Sequence, residues 1–343
     1  VWGGYFFFIG VKMKKVIITV GMLLILFGLA ACQPAPAPQT ENGALRVMAA
    51  ETFLADIAQQ VAGERVTVEA LMPLGLDPHA FQPTPRDVTR IAESDVFIVN
   101  GGGFEGWLQE VIDNAGGRTA VIEASAGLTS RTPAEPEDAH SGEEEADHEG
   151  EEAHEHEGEE AHEHDHGEGD PHFWLDPLNV IVYVENIRDG LSQADPQGKD
   201  TYAKNAAAYI EALRALDAEI RAQVETIPPA RRVLVTNHES FGYFADRYGF
   251  TVAGAVIPSA NSSAETSAQQ LAALIDTIRQ SGAPAIFLET GANPKLAEQI
   301  AAETGVQVVT DLYTHSVTAP DGDAPTYLDM MRRNAALITA ALR

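Results

Sequence analysis

The chain has 343 residues and carries 22 Lys and Arg against 51 Asp and Glu, a formal net charge of -29. That balance excludes nucleic acid as an expected partner, since affinity for phosphate backbones is supplied by Lys and Arg. A composition 45% hydrophobic and 21% charged fits a soluble globular chain with room for two cored domains, and a single cysteine excludes an internal disulfide. The acidity is concentrated: 134–170 holds 18 acidic residues, no Lys or Arg and seven of the eleven histidines, leaving -11 on the other 306 residues.

At the N-terminus, Lys12, Lys14 and Lys15 precede an apolar run from Val16 to Ala31 that is short for a membrane span and ends in small residues. This pattern reads as a signal peptide within 1–31, with Met13 a more natural start than Val1. Leu29-Ala30-Ala31-Cys32 resembles the bacterial lipobox, in which the cysteine becomes the lipidated first residue of the mature protein. The Pro-rich stretch that follows reads as a flexible tether over 32–44. The expected location is therefore extracytoplasmic, with contact to the membrane through a lipid anchor alone.

From Leu45 the chain alternates short β-branched runs with amphipathic stretches. Strands are predicted at Leu45–Ala50, Val66–Leu71, Val96–Asn100 and Ala120–Glu123, with helices at Thr52–Ala62, Asp87–Ala92 and Phe104–Asn114. After Arg231 the alternation returns. Strands near Val233–Val235, Val252–Val256, Ala285–Leu288 and Val306–Val309 are interleaved with helices near Ser240–Tyr248, Ser267–Gln280, Pro294–Thr304 and Tyr327–Leu342. Such alternation predicts an α/β fold of two lobes, each a mostly parallel sheet flanked by helices. Between them Asp200 to Thr226 lacks Gly and Pro and places Tyr202, Ala206, Tyr209, Leu213, Leu216 and Ile220 on one helix face, until Pro228 and Pro229 end it. The expected organisation is an N-terminal lobe over 45–195, a linking helix over 196–229 and a C-terminal lobe over 230–343.

Within the first lobe, 134–169 contains a repeat of period eight: Glu151-Glu152-Ala153-His154-Glu155-His156 recurs as Glu159-Glu160-Ala161-His162-Glu163-His164. With almost no apolar residues it predicts a mobile, disordered loop. His154, His156, His162, His164 and His166 among these carboxylates offer weak, exchangeable metal sites.

Four histidines lie outside the loop. His79 sits in the turn-rich Gly75-Leu76-Asp77-Pro78-His79, His172 in Asp170-Pro171-His172-Phe173-Trp174-Leu175-Asp176-Pro177, His238 after a strand and at the start of a helix, and His315 beyond the last strand. Ligands of open α/β sheets bind at the carboxyl ends of strands, where His79, His238 and Asp311 can converge. Imidazoles with a carboxylate suit a divalent transition metal, although each histidine taken singly also fits a structural role.

Together these segments resemble the ZnuA/TroA-like solute-binding lipoproteins of zinc and manganese ABC importers, over a match running from about Leu45 to the C-terminus. The pieces that carry it are Asp77-Pro78-His79 with Pro83-Thr84-Pro85, the run from Asn100 to Trp107, His172 with Trp174-Leu175-Asp176-Pro177, the His238 segment ending in Arg247-Tyr248-Gly249, and Thr310-Asp311. The resemblance implies one metal in the cleft between the lobes, held by His79 and His172 from the first and His238 and Asp311 from the second. Manganese-binding relatives typically carry glutamate where this chain has His238. Three nitrogens and one carboxylate favour Zn2+ over Mn2+. Glu239 is expected to orient a ligand histidine through its other ring nitrogen. His315 matches no ligand position and reads as a support residue; Glu289 reads as a strand-end polar group.

The function implied is capture of extracytoplasmic zinc by a monomer and its delivery to an ABC permease with a cytoplasmic ATPase, with affinity falling as pH drops through about 6.5. The alternatives are a manganese- or iron-binding member of the same family, a surface adhesin, or a zinc hydrolase. No G-x-S-x-G occurs, and the H-E-x-x-H match at His162 to His166 lies in the low-complexity loop, so no enzyme is expected.

Overall fold

The computed structural model describes residues 45–114, 116, 118–131 and 169–343. The expected signal peptide, Cys32, the tether and the loop histidines lie outside these residues. Among the described residues no helix is long and apolar enough to cross a membrane.

Two four-stranded parallel sheets form the frame. The first holds β1 (Val47–Ala49), β2 (Val68–Ala70), β3 (Val96–Val99) and β4 (Ala120–Glu123) in the order β2-β1-β3-β4. The second holds β5 (Val233–His238), β6 (Thr251–Ile257), β7 (Ala285–Glu289) and β8 (Gln307–Leu312) in the matching order β6-β5-β7-β8. Each sheet reverses its direction of growth beside its first strand, between β1 and β3 and between β5 and β7. Crevices that bind ligands open at such points, outside the carboxyl ends of the strands. His238 and Glu289 are the last residues of β5 and β7.

The helices are α1 (Thr52–Ala62), α2 (Pro85–Glu93), α3 (Leu108–Asn114), α4 (Asn179–Ala194), α5 (Lys199–Val224), α6 (Gly242–Tyr248), α7 (Ala268–Ser281), α8 (Lys295–Thr304) and α9 (Tyr327–Leu342). Helix α5, about 39 Å long at 1.5 Å per residue, buries the six residues of its predicted face. It packs on α1 and α4 on one side and on α9 on the other. Asp217 of α5 also grips Arg247 of α6 through two charge-assisted hydrogen bonds of 2.8 and 2.6 Å. The main core runs without a break from Phe53 and Trp174 through Leu213 and Leu216 to Phe287, Tyr327 and Met330. One core therefore serves both sheets.

Two departures from the expected elements have local causes. Helix α4 lies outside the elements predicted from the sequence; Val180, Ile181, Val182 and Val184 are β-branched, and Gly190 is a weak helix former. Packing overrides both propensities. Val180, Tyr183, Val184, Ile187 and Leu191 are buried along one helical face, and Gly190 lets β4 approach, since a Cβ there would lie 2.2 Å from Ile122 Cδ1. Helix α3 begins at Leu108, four residues later than Phe104. Gly101, Gly102 and Gly103 all have positive φ, and the buried Glu105 carboxylate accepts the backbone N–H groups of Asn100 (2.5 Å) and Gly101 (3.0 Å).

A shared core predicts joint unfolding of the two lobes. Leu213→Ala empties a fully buried position on α5 and should lower stability by about 2–5 kcal/mol. Denaturant unfolding, followed by circular dichroism and tryptophan fluorescence, should still give one coincident transition.

Candidate metal centre

His79 occupies a short 3-10 turn, Pro78–Ala80, capped by Asp77, whose Oδ1 accepts the His79 N–H at 3.0 Å. Asp77 Oδ2 accepts Ser262 Oγ from the second lobe at 2.5 Å, so the turn is held from both sides. His172 is fully buried at the start of the turn Phe173–Leu175. Asp170 Oδ1 takes both its backbone N–H (3.0 Å) and its Nδ1–H (2.8 Å), which leaves Nε2 as an acceptor facing inward. His238, also fully buried, ends β5.

His315 lies in a segment fastened to the first lobe. Trp174 Nε1 donates to Thr314 O (2.6 Å), Ser316 Oγ accepts Thr52 Oγ1 (3.0 Å) and Gly75 N (2.8 Å), and Val317 N donates to Thr52 Oγ1 (3.1 Å). The chain that supplies this fourth imidazole belongs to the second lobe by sequence and is anchored on the first.

These four residues bring one ligand atom each to within 4.8 Å of one another, and they are the one group of three or more His, Cys, Asp or Glu so placed among the described residues. His172 Nε2 lies 3.2 Å from His79 Nε2 and 3.2 Å from His238 Nε2. A tetrahedron with metal–nitrogen bonds of about 2.0–2.1 Å has edges of about 3.3–3.4 Å, so the nitrogens already stand near the corners of such a site. His315 Nε2 is buried with no protein hydrogen-bond partner. The Phe104 ring packs edge-on against His79 at 5.0 Å between centroids and stacks on His315 at 6.0 Å. His79 is the only partly exposed member of the four. It opens into a groove of about 890 Å³ that Trp107, Glu239 and Asn261 also line.

A carboxylate stands behind the cluster. Glu289 Oε1 lies 2.6 Å from His238 Nδ1, and Oε2 accepts Thr314 Oγ1 at 2.6 Å while lying 3.3 Å from His315 Nδ1. The approach to His238 Nδ1 lacks good hydrogen-bond geometry, so this contact acts chiefly by charge. Burial alone would raise the Glu289 pKa, yet the two imidazoles bring it down to about 2. Burial likewise opposes a charge on His238, but the Glu289 carboxylate outweighs it and raises that imidazole above its usual value. His172 and His315 are driven well below theirs, and His79 to about 4, by burial first and by neighbouring imidazoles. Burial holds Asp170 up at about 6.

The structure brings together three of the four expected ligand residues, His79, His172 and His238, and places His315 rather than Asp311 beside them. Asp311 is exposed, its carboxylate turned to Thr310 Oγ1 at 2.9 Å. The pairing of β7 with β8 explains this: Phe287 faces Val309 but Glu289 faces Leu312, so β8 carries one extra residue. Asp311 sits in that bulge at φ 70, a left-handed conformation that Asp tolerates, and its side chain is swung out of the cleft. His315, read as a support residue, stands in the cluster instead. The signal was available: Thr314-His315 repeats the Thr-donor pattern of Thr310-Asp311 four residues on. Glu239, expected behind a ligand histidine, lines the groove, because consecutive residues at a strand end point to opposite faces. Glu289, read as a strand-end polar group, is the carboxylate that touches two of the imidazoles.

Two α/β lobes with a nitrogen-rich cluster at the carboxyl ends of their strands define a metal-binding protein of the two-lobed kind. Residues 47–341 match the family model described as the periplasmic component A of the zinc-uptake complex, ZnuA, and the chain belongs to that family. It is 32% identical over 331 residues to the manganese-binding lipoprotein MntA of Halalkalibacterium halodurans, covering 96% of this chain and 99% of that one. It is also 32% identical over 286 residues to the iron-binding protein YfeA of Yersinia pestis, covering 83% and 82%. Among solved structures, the periplasmic zinc-binding protein TroA of Treponema pallidum superposes with a TM-score of 0.73 at 27% identity, over 88% of this chain and 99% of that one. The chain is thus a metal-binding transport component and not an enzyme.

The pKa pattern sets the pH dependence of metal binding. Burial and neighbouring imidazoles make His79, His172 and His315 hard to protonate, whereas His238, with a raised value, must lose a proton for its lone pair to serve a cation. Between pH 7 and pH 5, affinity should therefore fall by about tenfold per unit, one proton's worth. Glu289→Gln should flatten that slope by removing the charge that holds the His238 proton. Calorimetric titration across the range checks both; a steeper fall would show that two or more imidazoles protonate together.

Proposed function

We propose that this protein captures Zn2+ outside the cytoplasm in the four-imidazole cluster between its lobes and hands it to an ABC permease driven by a cytoplasmic ATPase. The observation that carries the choice of metal is the donor set. Four neutral nitrogens and no carboxylate suit the borderline Zn2+, whereas hard Mn2+ seeks oxygen. A second reading, manganese or iron as cargo, is favoured by the relatives named for those metals, and the relatives alone leave the cargo open. A hydrolase requires a coordination position left for water; four protein nitrogens fill a tetrahedral sphere. A lipid anchor on Cys32 would keep the protein beside its permease.

Titration of a chain lacking 134–169 with Zn2+ and Mn2+ tests this reading. One tight Zn2+ per chain is expected, with Mn2+ about a hundredfold weaker or more. His238→Ala should cost more than the ~10–100-fold typical of losing an outer-shell partner, while Asp311→Ala should leave Zn2+ affinity unchanged. His315→Asp, which adds an oxygen donor, should narrow the gap between the two metals. Equal affinities in the parent chain, or loss of the tight site with the loop, would overturn the assignment.

A further inference from the structure

We infer that Arg131 and Asp246 form a latch between the lobes that positions His172 and thereby sets how fast a bound metal leaves. The inference rests on the metal-capture reading and adds to it a residue pair outside the cluster. Arg131 and Asp170 face each other in an isolated antiparallel bridge, with Asp170 N donating to Arg131 O at 3.0 Å. The Arg131 guanidinium reaches two carboxylates. Its Nη1 lies 3.5 Å from Asp170 Oδ2, while Nε and Nη2 lie 2.6 and 3.4 Å from the two carboxylate oxygens of Asp246 on α6.

Asp170 uses its other oxygen, Oδ1, to hold the backbone and the ring of His172. The line from the second lobe to a metal-facing nitrogen is therefore continuous: Asp246, Arg131, Asp170, His172. Its outer end is open to solvent, with the Asp246 side chain 64% exposed, and its inner end is buried, with Asp170 at 5%.

The surroundings fit this role. Tyr243 of α6 accepts Arg131 N at its hydroxyl (2.9 Å), donates that hydroxyl to Asp170 O (2.8 Å), and lies under the guanidinium at 5.7 Å from the ring centroid. Gly242 clears the space: a Cβ there would lie 1.9 Å from Arg131 Nη1 and 2.8 Å from Asp170 Oδ2. An isolated surface ion pair contributes little to stability. This one instead fixes the plane and tautomer of a ligand imidazole, an effect that outer partners of metal-binding histidines commonly exert.

The test uses the full chain and its Arg131→Gln, Asp246→Asn and double variants, with Zn2+ released into excess EDTA and followed by stopped flow. Each single variant should speed release about 5–20-fold with the association rate unchanged, the double variant should be no faster than the faster single one, and Arg131→Lys should restore part of the loss. Release rates within twofold of the parent, or single effects that multiply in the double variant, would overturn the latch. A metal-free readout separates it from the metal assignment. In 15N spectra of the His172 ring, the parent should show one tautomer protonated at Nδ1, and Arg131→Gln should show averaging between tautomers. If the parent holds no Zn2+ but its ring responds in this way, the latch stands and the cargo assignment falls. If Zn2+ binds tightly and neither readout moves, the latch falls alone.

Discussion

Four imidazole nitrogens pressed to within 4.8 Å of one another, three of them on buried rings, are the constraint on which this structure turns. Bare lone pairs facing one another repel, and an added proton relieves that while burying a charge. The protein withholds this relief from three of the rings, whose pKa values burial depresses. It grants it to one, His238, through Glu289. The cluster is thus set up for a cation it does not supply itself, and the fold carries the cost of holding it together.

That cost is met by fastening. The His315 segment is tied to the first lobe through Trp174, Thr52 and Gly75, and Trp174 is itself stacked on Phe53 at 4.5 Å and accepts the Tyr327 hydroxyl at its carbonyl. Helix α5 runs along both lobes and shares their core. Lobes joined in this way have little freedom to swing, so exchange of the metal falls to local changes around individual ligands. His79, partly exposed on the groove, is the ring most open to the surface, and His172 is the one held through Asp170 by Arg131.

Much of this could be read from the sequence, and the reasons differ from place to place. Parallel sheets and the buried face of α5 follow from periodicity, which survives any tertiary detail. His79, His172 and His238 stood out because each lies in a segment that carries the sequence resemblance, His79 and His238 also following predicted strands. Asp311 stands outside the cluster because β8 carries a single extra residue, and a bulge leaves no periodic trace. His315 and Glu289 escaped for the same reason, since their roles depend on which strand ends lie side by side. Helix α4 was hidden by β-branched residues whose burial against α1 and α5 outweighs their strand preference. The charge that first marked the chain is largely a property of 134–170 in the sequence.

The central claim is that four imidazoles, His315 among them and Asp311 excluded, form the metal's entire protein shell. Zinc-edge X-ray absorption of the Zn2+-loaded chain lacking 134–169 tests it directly. The account predicts a single shell of four nitrogen scatterers at about 2.0–2.1 Å with the outer-ring pattern of four imidazoles. Three imidazoles with a carboxylate oxygen, lost on Asp311→Ala and kept in His315→Ala, would contradict it.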